Sequence, residues 1–476
     1  MKKIKNSSLF HYTFAPIIGG ILQLFSIQAL TWSFPSDFIG MFYLLVILIN
    51  FSLLILSFGL DQSYAREFHH HDNKLQLFIH SAIPGLMLLL FLGIVLFIFN
   101  PEILSVYFFS IRSIEISILI FLCILFEFIN RFIGINLRMF DQAFKYSLIQ
   151  FMPRAIFFVM IVTLYFLLEF KEDFTLIIFL HLLSVFFTFL VAIFFSYGVN
   201  KNQFSLKFDS KIFIKIFKFG LPFIFSGIAI WCINSVDKVF LRAFDLYHEL
   251  ALLSVSASIS LGATFLASIF NTIWMPLVYK WNARGVKADV ILEISNYATI
   301  VIASLVIFMI SISWIFPFFF PPDYSTIEFL IVGSMLGPFL YSFSEITGVG
   351  IAIERKTNYL VFISIASIVS AIISSWYLIP IFGAKGAISS VTISYLVYFL
   401  IRTHISLKIL LKLETFRINF SAINVFIITN LFLFYGELLP DFSYAILFIV
   451  FILFIIFNIN KLKNLYIYLT RVELFN

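Results

Sequence analysis

The sequence predicts an all-α protein that crosses a membrane many times. Its 476 residues are 62% hydrophobic and only 12% charged, whereas a soluble domain is about 45–50% apolar and about 25% charged. The mean hydropathy is +1.05. A water-soluble fold would have to expose far more of this apolar surface than soluble proteins do. The apolar residues also form continuous runs of about twenty, the length that a helix needs to cross roughly 30 Å of hydrocarbon.

Continuous apolar runs favour helices over a membrane β-barrel, because barrel strands alternate apolar and polar residues over about ten positions. Helices and closed barrels are the two structures that satisfy the backbone inside lipid. We therefore predict about fourteen spans, near residues 10–32, 38–60, 78–99, 114–135, 148–169, 174–197, 219–243, 249–275, 297–320, 327–352, 359–380, 384–408, 418–436 and 441–460.

Lysine and arginine are distributed unevenly between the two sides of these spans. Connections after odd-numbered spans are short or acidic, and connections after even-numbered spans are longer and basic, most clearly over residues 201–218. Cytoplasmic loops carry an excess of basic residues, so both termini are predicted to be cytoplasmic. The Lys and Arg residues predicted on the opposite side are Arg112, Lys171, Lys238, Arg242 and Lys385.

A weak internal repeat divides the predicted spans into two halves. Span one opens with Pro16 followed by Gly19 and Gly20, and span seven opens with Pro222 followed by Gly227. Repeated halves around a central site are common in secondary transporters. We therefore predict two six-helix lobes around a central cavity, over residues 1–200 and 201–412, with two further helices and a cytoplasmic tail over residues 413–476.

Several functional classes fit the sequence poorly. No predicted connection is longer than about twenty residues, and the GxxxxGK[ST] phosphate loop of many nucleotide hydrolases is absent. Cys123 and Cys232 both lie in apolar runs, which argues against a disulfide or zinc framework. The consecutive histidines at 69–71 lack the i,i+4 spacing of helical metal pairs. We expect no enzymatic activity, no cofactor, no metal site and no nucleic-acid partner.

Charged side chains at membrane depth cost about 2.5–3.5 kcal/mol each to insert, which makes them candidate functional groups. In span seven, Trp231, Asn234, Lys238 and Arg242 share one helical face, with Asp237 beside them. The two cations could hold a phosphate or pyrophosphate while the indole stacks on a sugar. Alternatively, Asp237 neutralises Lys238, and Arg242 extends to the outer interface.

Spans two, four and ten supply further candidates. Asp61 and Arg66 lie where span two leaves the membrane. Glu127 and Arg131 in span four are spaced i,i+4, and they either line a cavity or form an internal ion pair. Glu345 in span ten has no cation nearby in the sequence, so it could carry a coupling proton or link helices by hydrogen bonds. The substrate-cavity candidates are Arg66, Arg131, Trp231, Asn234, Lys238 and Arg242, and the ion-coupling or gating candidates are Asp61, Glu127, Asp237 and Glu345.

Several short motifs resemble the Wzx-type flippases for O-antigen and other polysaccharides. The resemblance extends over nearly the whole chain in the number and order of spans. The motifs are Gly59-Leu60-Asp61-Gln62 with Tyr64-Ala65-Arg66-Glu67-Phe68, Leu137-Arg138-Met139 to Tyr146-Ser147, Phe219-Gly220-Leu221-Pro222-Phe223 leading to Asn234-Ser235-Val236-Asp237-Lys238, and Ile379-Pro380-Ile381-Phe382-Gly383-Ala384-Lys385-Gly386-Ala387.

This resemblance implies a member of the multidrug/oligosaccharidyl-lipid/polysaccharide exporter superfamily, with a cationic cavity between two six-helix lobes. It implies movement of undecaprenyl-pyrophosphate-linked sugar repeat units from the cytoplasmic to the periplasmic leaflet of a bacterial inner membrane, coupled to an ion gradient. It also implies a polysaccharide polymerase and a chain-length regulator as protein partners. The family's loop residues near the span-two exit correspond here to Asp61, Gln62 and Arg66.

Three other functions remain open on the sequence. A multidrug antiporter of the same superfamily usually carries cationic drugs, which would favour acidic cavity residues, whereas Arg131, Lys238 and Arg242 are basic. A flippase for the lipid-linked peptidoglycan precursor is the second. An O-antigen polymerase or ligase is the third, and such an enzyme would be expected to have a large outer loop that is not predicted here.

Overall fold

A computed structural model describes residues 2–68, 71, 73–167, 173–197, 209–260, 289–348, 350–351, 354, 356, 358–410, 416–439 and 442–471. The regular elements in these residues are α-helices and three short 3-10 helices. The α-helices are α1 (Lys2–Ser33), α2 (Ser36–Leu56), α3 (Leu60–Glu67), α4 (Lys74–Phe99), α5 (Ile103–Phe109), α6 (Ile114–Met139), α7 (Ala143–Leu167), α8 (Phe174–Tyr197), α9 (Ser210–Ala243), α10 (Tyr247–Ile259), α11 (Asp289–Ile312), α12 (Ile327–Thr347), α13 (Asn358–Leu410), α14 (Phe416–Tyr435) and α15 (Phe442–Arg471).

The helices confirm the predicted all-α, polytopic class. Within the described residues, eight helices are long and apolar enough to cross a membrane, and a bent pair within α9, Ser210–Phe225 and Ile230–Ala243, forms a ninth candidate. α13 counts as one of the eight, although Gly383 breaks it into two arms (φ 54°, ψ −127°). Each predicted span overlaps a described helix, and the part of predicted span eight beyond residue 260 lies outside the described residues.

The chain forms two compact units, Met1–Trp231 and Cys232–Asn476. The division falls inside α9, so the first unit holds α1 to α8 with most of α9, and the second holds the rest. The predicted lobes at residues 1–200 and 201–412 stay a prediction.

Aromatic side chains fill the centre of the first unit. α1 lies along α7, and α6 packs against α7 and α8. Phe42 of α2 stacks on Phe157 of α7 with ring centroids 5.1 Å apart. His181 of α8 meets both rings edge-on, at 5.5 and 5.7 Å. These contacts bring the middle of α2, α7 and α8 together.

The chain turns sharply after α2 to form the short helix α3, which carries Asp61 and Arg66. Gly59 makes this turn with φ 65°, a conformation that glycine adopts without steric cost. A Cβ at Gly59 would lie 2.1 Å from the carbonyl oxygen of Gly220. The Ser63 hydroxyl donates to the carbonyl oxygen of Ile216 at 2.7 Å. The turn therefore holds α3 directly against the first half of α9.

α12 is the central helix of the second unit. It contacts α10, α11, α13 and α14, and most of its residues are buried. The second arm of α13 begins after Gly383, where the amide of Ala384 donates to the carboxylate of Glu249 at 2.8 Å. α15 lies along α11 and exposes many large apolar side chains over residues 442–459, as expected for a helix in contact with lipid.

Candidate functional site

Asp61 and Arg131 form an ion pair in the first unit. Arg131 Nη2 donates to Asp61 Oδ2 at 2.7 Å, and the same carboxylate accepts the backbone amide of Gln62 at 2.9 Å. The Asp61 side chain is 4% exposed, whereas the Arg131 side chain is 38% exposed. The buried carboxylate therefore holds one N–H donor of an arginine whose side chain is more than one-third exposed. Because a guanidinium carries five N–H donors in one plane, Arg131 can bind a second anionic group.

Glu127 lies one turn before Arg131 on α6. Its carboxylate interacts electrostatically with Arg154 of α7 and, more weakly, with Arg131. The Arg154 guanidinium lies against α1, since a Cβ at Gly19 would be 2.6 Å from Arg154 Nη1. The predicted i,i+4 pair is thus part of a larger group of charges, in which Arg131 is bonded to Asp61. Arg154 is not among the candidates predicted from the sequence, although it is an arginine inside a predicted span and so meets the same criterion as Arg131.

Arg66 is placed on α9 by an aromatic contact. Its guanidinium carbon lies 3.9 Å from the centroid of the Phe219 ring. The next residue, Glu67, pairs with Lys215 of α9 at 2.6 Å. Arg66 and Arg131 are both exposed, so two cations of the first unit are accessible near the predicted cytoplasmic end of its spans.

The predicted face on α9 is divided between the two units. Trp231 belongs to the first unit, where its indole packs on Phe51 of α2 with ring centroids 4.4 Å apart. Asn234, Lys238 and Arg242 belong to the second unit.

Both cations on the α9 face have acidic partners. Lys238 Nζ donates to the backbone oxygen of Asn234 at 2.7 Å and lies 3.3 Å from the carboxylate of Asp237, which is 1% exposed. Arg242 Nη1 donates to Asp245 Oδ1 at 2.9 Å. The neutralised arrangement that the sequence left open as an alternative is the one found for Lys238, and Arg242 is paired with a residue just beyond α9.

Glu345, which has no cation nearby in the sequence, has a cationic partner in the fold. Arg402, on the second arm of α13, donates from Nη1 to Glu345 Oε1 and from Nη2 to Oε2, the latter at 2.9 Å. The pair is largely buried, with Arg402 7% and Glu345 14% exposed. Gly348 leaves room for the guanidinium, because a Cβ there would collide with the Arg402 side chain. Arg402 is 57 residues from Glu345 in the chain, so local sequence gives no sign of the pairing.

Three tyrosines connect this ion pair to α9. Arg402 Nη1 donates to the hydroxyl of Tyr398 at 3.3 Å. The Tyr341 ring lies 5.9 Å from the Tyr398 ring and 6.3 Å from the Tyr395 ring, measured between centroids. The Tyr395 hydroxyl donates to Asn234 Oδ1 at 2.9 Å. Folding thus joins two candidates that the sequence separated, Asn234 and Glu345, across α9, α12 and α13.

Among the described side chains, no group of three or more His, Cys, Asp or Glu residues lies close enough to hold a metal ion. His69 and His70 lie outside the described residues.

Comparisons with known proteins give matches among solved structures. No family model matches the sequence, and no curated protein matches it either. The chain is similar to the structure described as "Lipid II flippase MurJ, inward closed conformation", with a TM-score of 0.69 and 16% identity over 96% of this chain and 99% of that chain. It is also similar to an inward-facing multidrug resistance MATE family transporter of the MOP superfamily, with a TM-score of 0.58 and 17% identity over 87% of this chain and 98% of that chain. At these identities the likeness concerns the fold, and this chain has the helical fold of these two membrane transporters.

Proposed function

We propose that the protein is a transporter of the MOP superfamily that moves a lipid-linked oligosaccharide across a bacterial inner membrane. The proposed substrate is the undecaprenyl-pyrophosphate-linked repeat unit of O-antigen or of another surface polysaccharide. The proposed transport runs from the cytoplasmic to the periplasmic leaflet by alternating access, coupled to an ion gradient. The fold supports this proposal, since one similar structure is described as a lipid II flippase.

The observation that carries the proposal is the partly exposed side chain of Arg131, held by Asp61. Buried Asp61 fixes its orientation, and 38% of the side chain is exposed. Arginine binds phosphate oxygens through paired N–H donors, and Arg154 adds a second guanidinium to the same group of charges. The polyprenyl tail can remain in lipid while these cations receive the pyrophosphate. The transport step changes no covalent bond, so it requires no catalytic group.

Asp61 is the proposed gating residue of this site. Its carboxylate and a substrate phosphate would share one guanidinium, because Asp61 occupies Nη2 of Arg131 and leaves other N–H donors available. Arrival of the pyrophosphate would therefore weaken the contact between α3 and α6. We propose Glu127, Asp237 and Glu345 as the acids available for ion coupling, and a polymerase and a chain-length regulator as partners that act after transport.

A multidrug antiporter is the second candidate, because a similar structure is described as a multidrug resistance transporter. The observed charges favour the antiporter less than the lipid-linked oligosaccharide transporter. Asp61, Asp237 and Glu345 each contact a cationic side chain of the protein. A cationic drug would have to displace one of those side chains before it reached a carboxylate.

The test uses cells that lack their own O-antigen flippase and express this protein with its native sugar-assembly genes. The readout is surface glycan attached to lipopolysaccharide, with membrane expression of each variant measured in parallel. Wild type should restore the glycan. Arg131→Gln should lower it about tenfold or more, as expected when a charge-assisted contact worth about 1.5–3 kcal/mol is lost.

The matched control is Arg138→Gln, an exposed arginine on the same helix, whose guanidinium lies 5.8 Å from the Tyr146 ring. This control should retain most of the wild-type glycan. Repeat units that are made but held inside cells expressing wild type would refute the proposal. Wild type that instead rescues loss of the peptidoglycan-precursor flippase would identify the other lipid-linked substrate, and resistance to cationic dyes would identify the drug antiporter.

A further inference from the structure

Side chains of three helices in the second unit form one aromatic and polar face, which we call the tyrosine face. Tyr341 comes from α12, Tyr395 and Tyr398 from the second arm of α13, and Asn234 from α9. The contacts between them are two ring–ring contacts at 5.9 and 6.3 Å and the hydrogen bond from Tyr395 to Asn234. These residues are far apart in the sequence, so the face exists only in the folded unit.

Hydrogen bonds to neighbouring side chains fix the positions of the Tyr395 and Tyr398 rings. Tyr398 accepts from Arg402, which is itself held by both oxygens of Glu345. Tyr395 is held by Asn234, whose backbone oxygen accepts from Lys238. A binding surface whose side chains are already ordered loses less conformational entropy when a ligand arrives.

The tyrosine face is polar but nearly neutral. Arg402 is matched by Glu345, and Lys238 is matched by Asp237. The first unit differs in exposure. Arg131 and Arg154 also have acidic neighbours, Asp61 and Glu127, but both arginines are exposed, whereas Arg402 and Lys238 are 7% and 17% exposed. A neutral face does not attract a pyrophosphate, so its chemistry selects another part of a ligand.

The tyrosine face is accessible, and its polarity argues against contact with lipid. The Tyr341 side chain is 39% exposed, and Asn234 is exposed in the middle of the second segment of α9. Polar side chains within membrane spans face a protein interior or a water-filled cavity rather than lipid, and these two side chains are exposed. The tyrosine face is therefore expected to border water.

We infer that the tyrosine face is the subsite for uncharged sugar rings of the lipid-linked substrate. The C–H faces of a pyranose pack on aromatic rings, and its hydroxyls exchange hydrogen bonds with phenol and amide groups, as in other pockets that combine aromatic walls with a few fixed polar groups. This inference rests on the proposed function and adds that the two units bind different parts of the substrate. The arginines of the first unit bind the pyrophosphate, and the tyrosines of the second unit bind the glycan.

The experiment compares two probes on the full-length protein in lipid nanodiscs. One probe is the lipid-linked repeat unit extracted from the native host, and the other is undecaprenyl pyrophosphate without sugar. The measured quantity is the ratio of their dissociation constants. Wild type should bind the glycosylated lipid more tightly. Tyr341→Ala should lower this preference about fivefold or more while leaving the affinity for undecaprenyl pyrophosphate within about twofold.

Three variants make the result specific. Tyr341→Phe keeps the ring and should retain most of the preference for glycosylated lipid. Tyr377→Ala removes a tyrosine that is 67% exposed on the first arm of α13 and should change neither affinity. Arg131→Gln should weaken both probes together and leave the ratio unchanged. The thermal stability of each variant is measured first, so that a folding defect is recognised.

The possible outcomes separate the inference from the proposed function. A wild-type ratio near one, or a ratio that Tyr341→Ala leaves unchanged, overturns the sugar subsite while the flippase stands. Weakening of both probes to the same extent by Tyr341→Ala also overturns it. Failure of wild type to bind either lipid removes the proposed function together with the subsite.

Discussion

Replacement of Arg402 by methionine removes the cation from a buried ion pair while keeping most of the side-chain volume. The pair has two parallel hydrogen bonds to Glu345, and both side chains are less than one-sixth exposed, at 7% and 14%. Loss of one partner from such a pair leaves a desolvated charge, which costs about 3–5 kcal/mol. Because Glu345 retains some exposure, we expect the lower end of that range, about 3 kcal/mol.

Three further variants test how much of this cost comes from leaving a buried charge unpaired. Lys385→Met breaks an ion pair whose acid, Glu437, is 49% exposed, so it should cost no more than about 1 kcal/mol. Glu345→Leu should be destabilising in the same way as Arg402→Met. The double variant Arg402→Met/Glu345→Leu should be more stable than the sum of the two single changes predicts, by about 2 kcal/mol, because no charge is left unpaired.

The assay is unfolding of the purified protein by titration with sodium dodecyl sulfate in mixed micelles, followed by tryptophan fluorescence and far-ultraviolet circular dichroism. The free energy of unfolding is compared among the four variants and wild type. Equal costs for Arg402→Met and Lys385→Met would refute the argument, since burial would then have no effect. Additive costs in the double variant would also refute it, because they would mean that the two side chains do not interact.

Three other predictions concern local structure and topology. Gly59→Ala should lower the free energy of unfolding by about 2 kcal/mol or more, since it places a Cβ in a left-handed backbone conformation 2.1 Å from the Gly220 oxygen. The control is Gly20→Ala, where a Cβ meets nothing within 4 Å. This control should be neutral or stabilising by up to about 1 kcal/mol. Glu249→Ala should lower the free energy of unfolding by about 1–3 kcal/mol in the same titration, because it removes the acceptor for the Ala384 amide. Glu249→Gln keeps an acceptor oxygen and should be less destabilising. An equal decrease for both variants would show that this hydrogen bond is unimportant. In a background without Cys123 and Cys232, a membrane-impermeant maleimide applied to intact cells should label Asp323→Cys but not Lys211→Cys, both exposed positions; the reverse pattern would overturn the predicted cytoplasmic termini.

The membrane class and the approximate positions of the spans could be predicted from the sequence because both depend on local properties. A run of about twenty apolar residues has the length of a membrane-crossing helix whatever its neighbours are. The same local reasoning missed the short helices α3 and α5, which lie in predicted connections or at their edges. Predicted span seven begins at residue 219, whereas α9 begins at Ser210, because the first turns of α9 are too polar to be recognised as part of a membrane span.

The candidate site could be predicted only in part. Charge inside a predicted span singled out Arg131, Lys238 and Glu345, because each carries a desolvation cost that is visible in the sequence. Asp61 is a candidate from its place at the exit of predicted span two. Their partners depend on which helices meet. Spacing along α6 suggested Glu127 for Arg131, yet Arg131 is bonded to Asp61, 70 residues away.

The sequence by itself determined that this chain is a helical membrane protein with costly charges inside its spans. Tertiary structure decided the partners of Arg131 and Glu345, whereas Lys238 is paired with its neighbour in the chain, Asp237. Glu345 is paired because Arg402, 57 residues away, faces it across two helices. Asn234 belongs to an aromatic face because Tyr395, 161 residues away, reaches it. The physical reason is that hydropathy sums over neighbouring residues in the chain, whereas an ion pair or a ring contact acts over a few ångströms in space between residues that only the fold brings together.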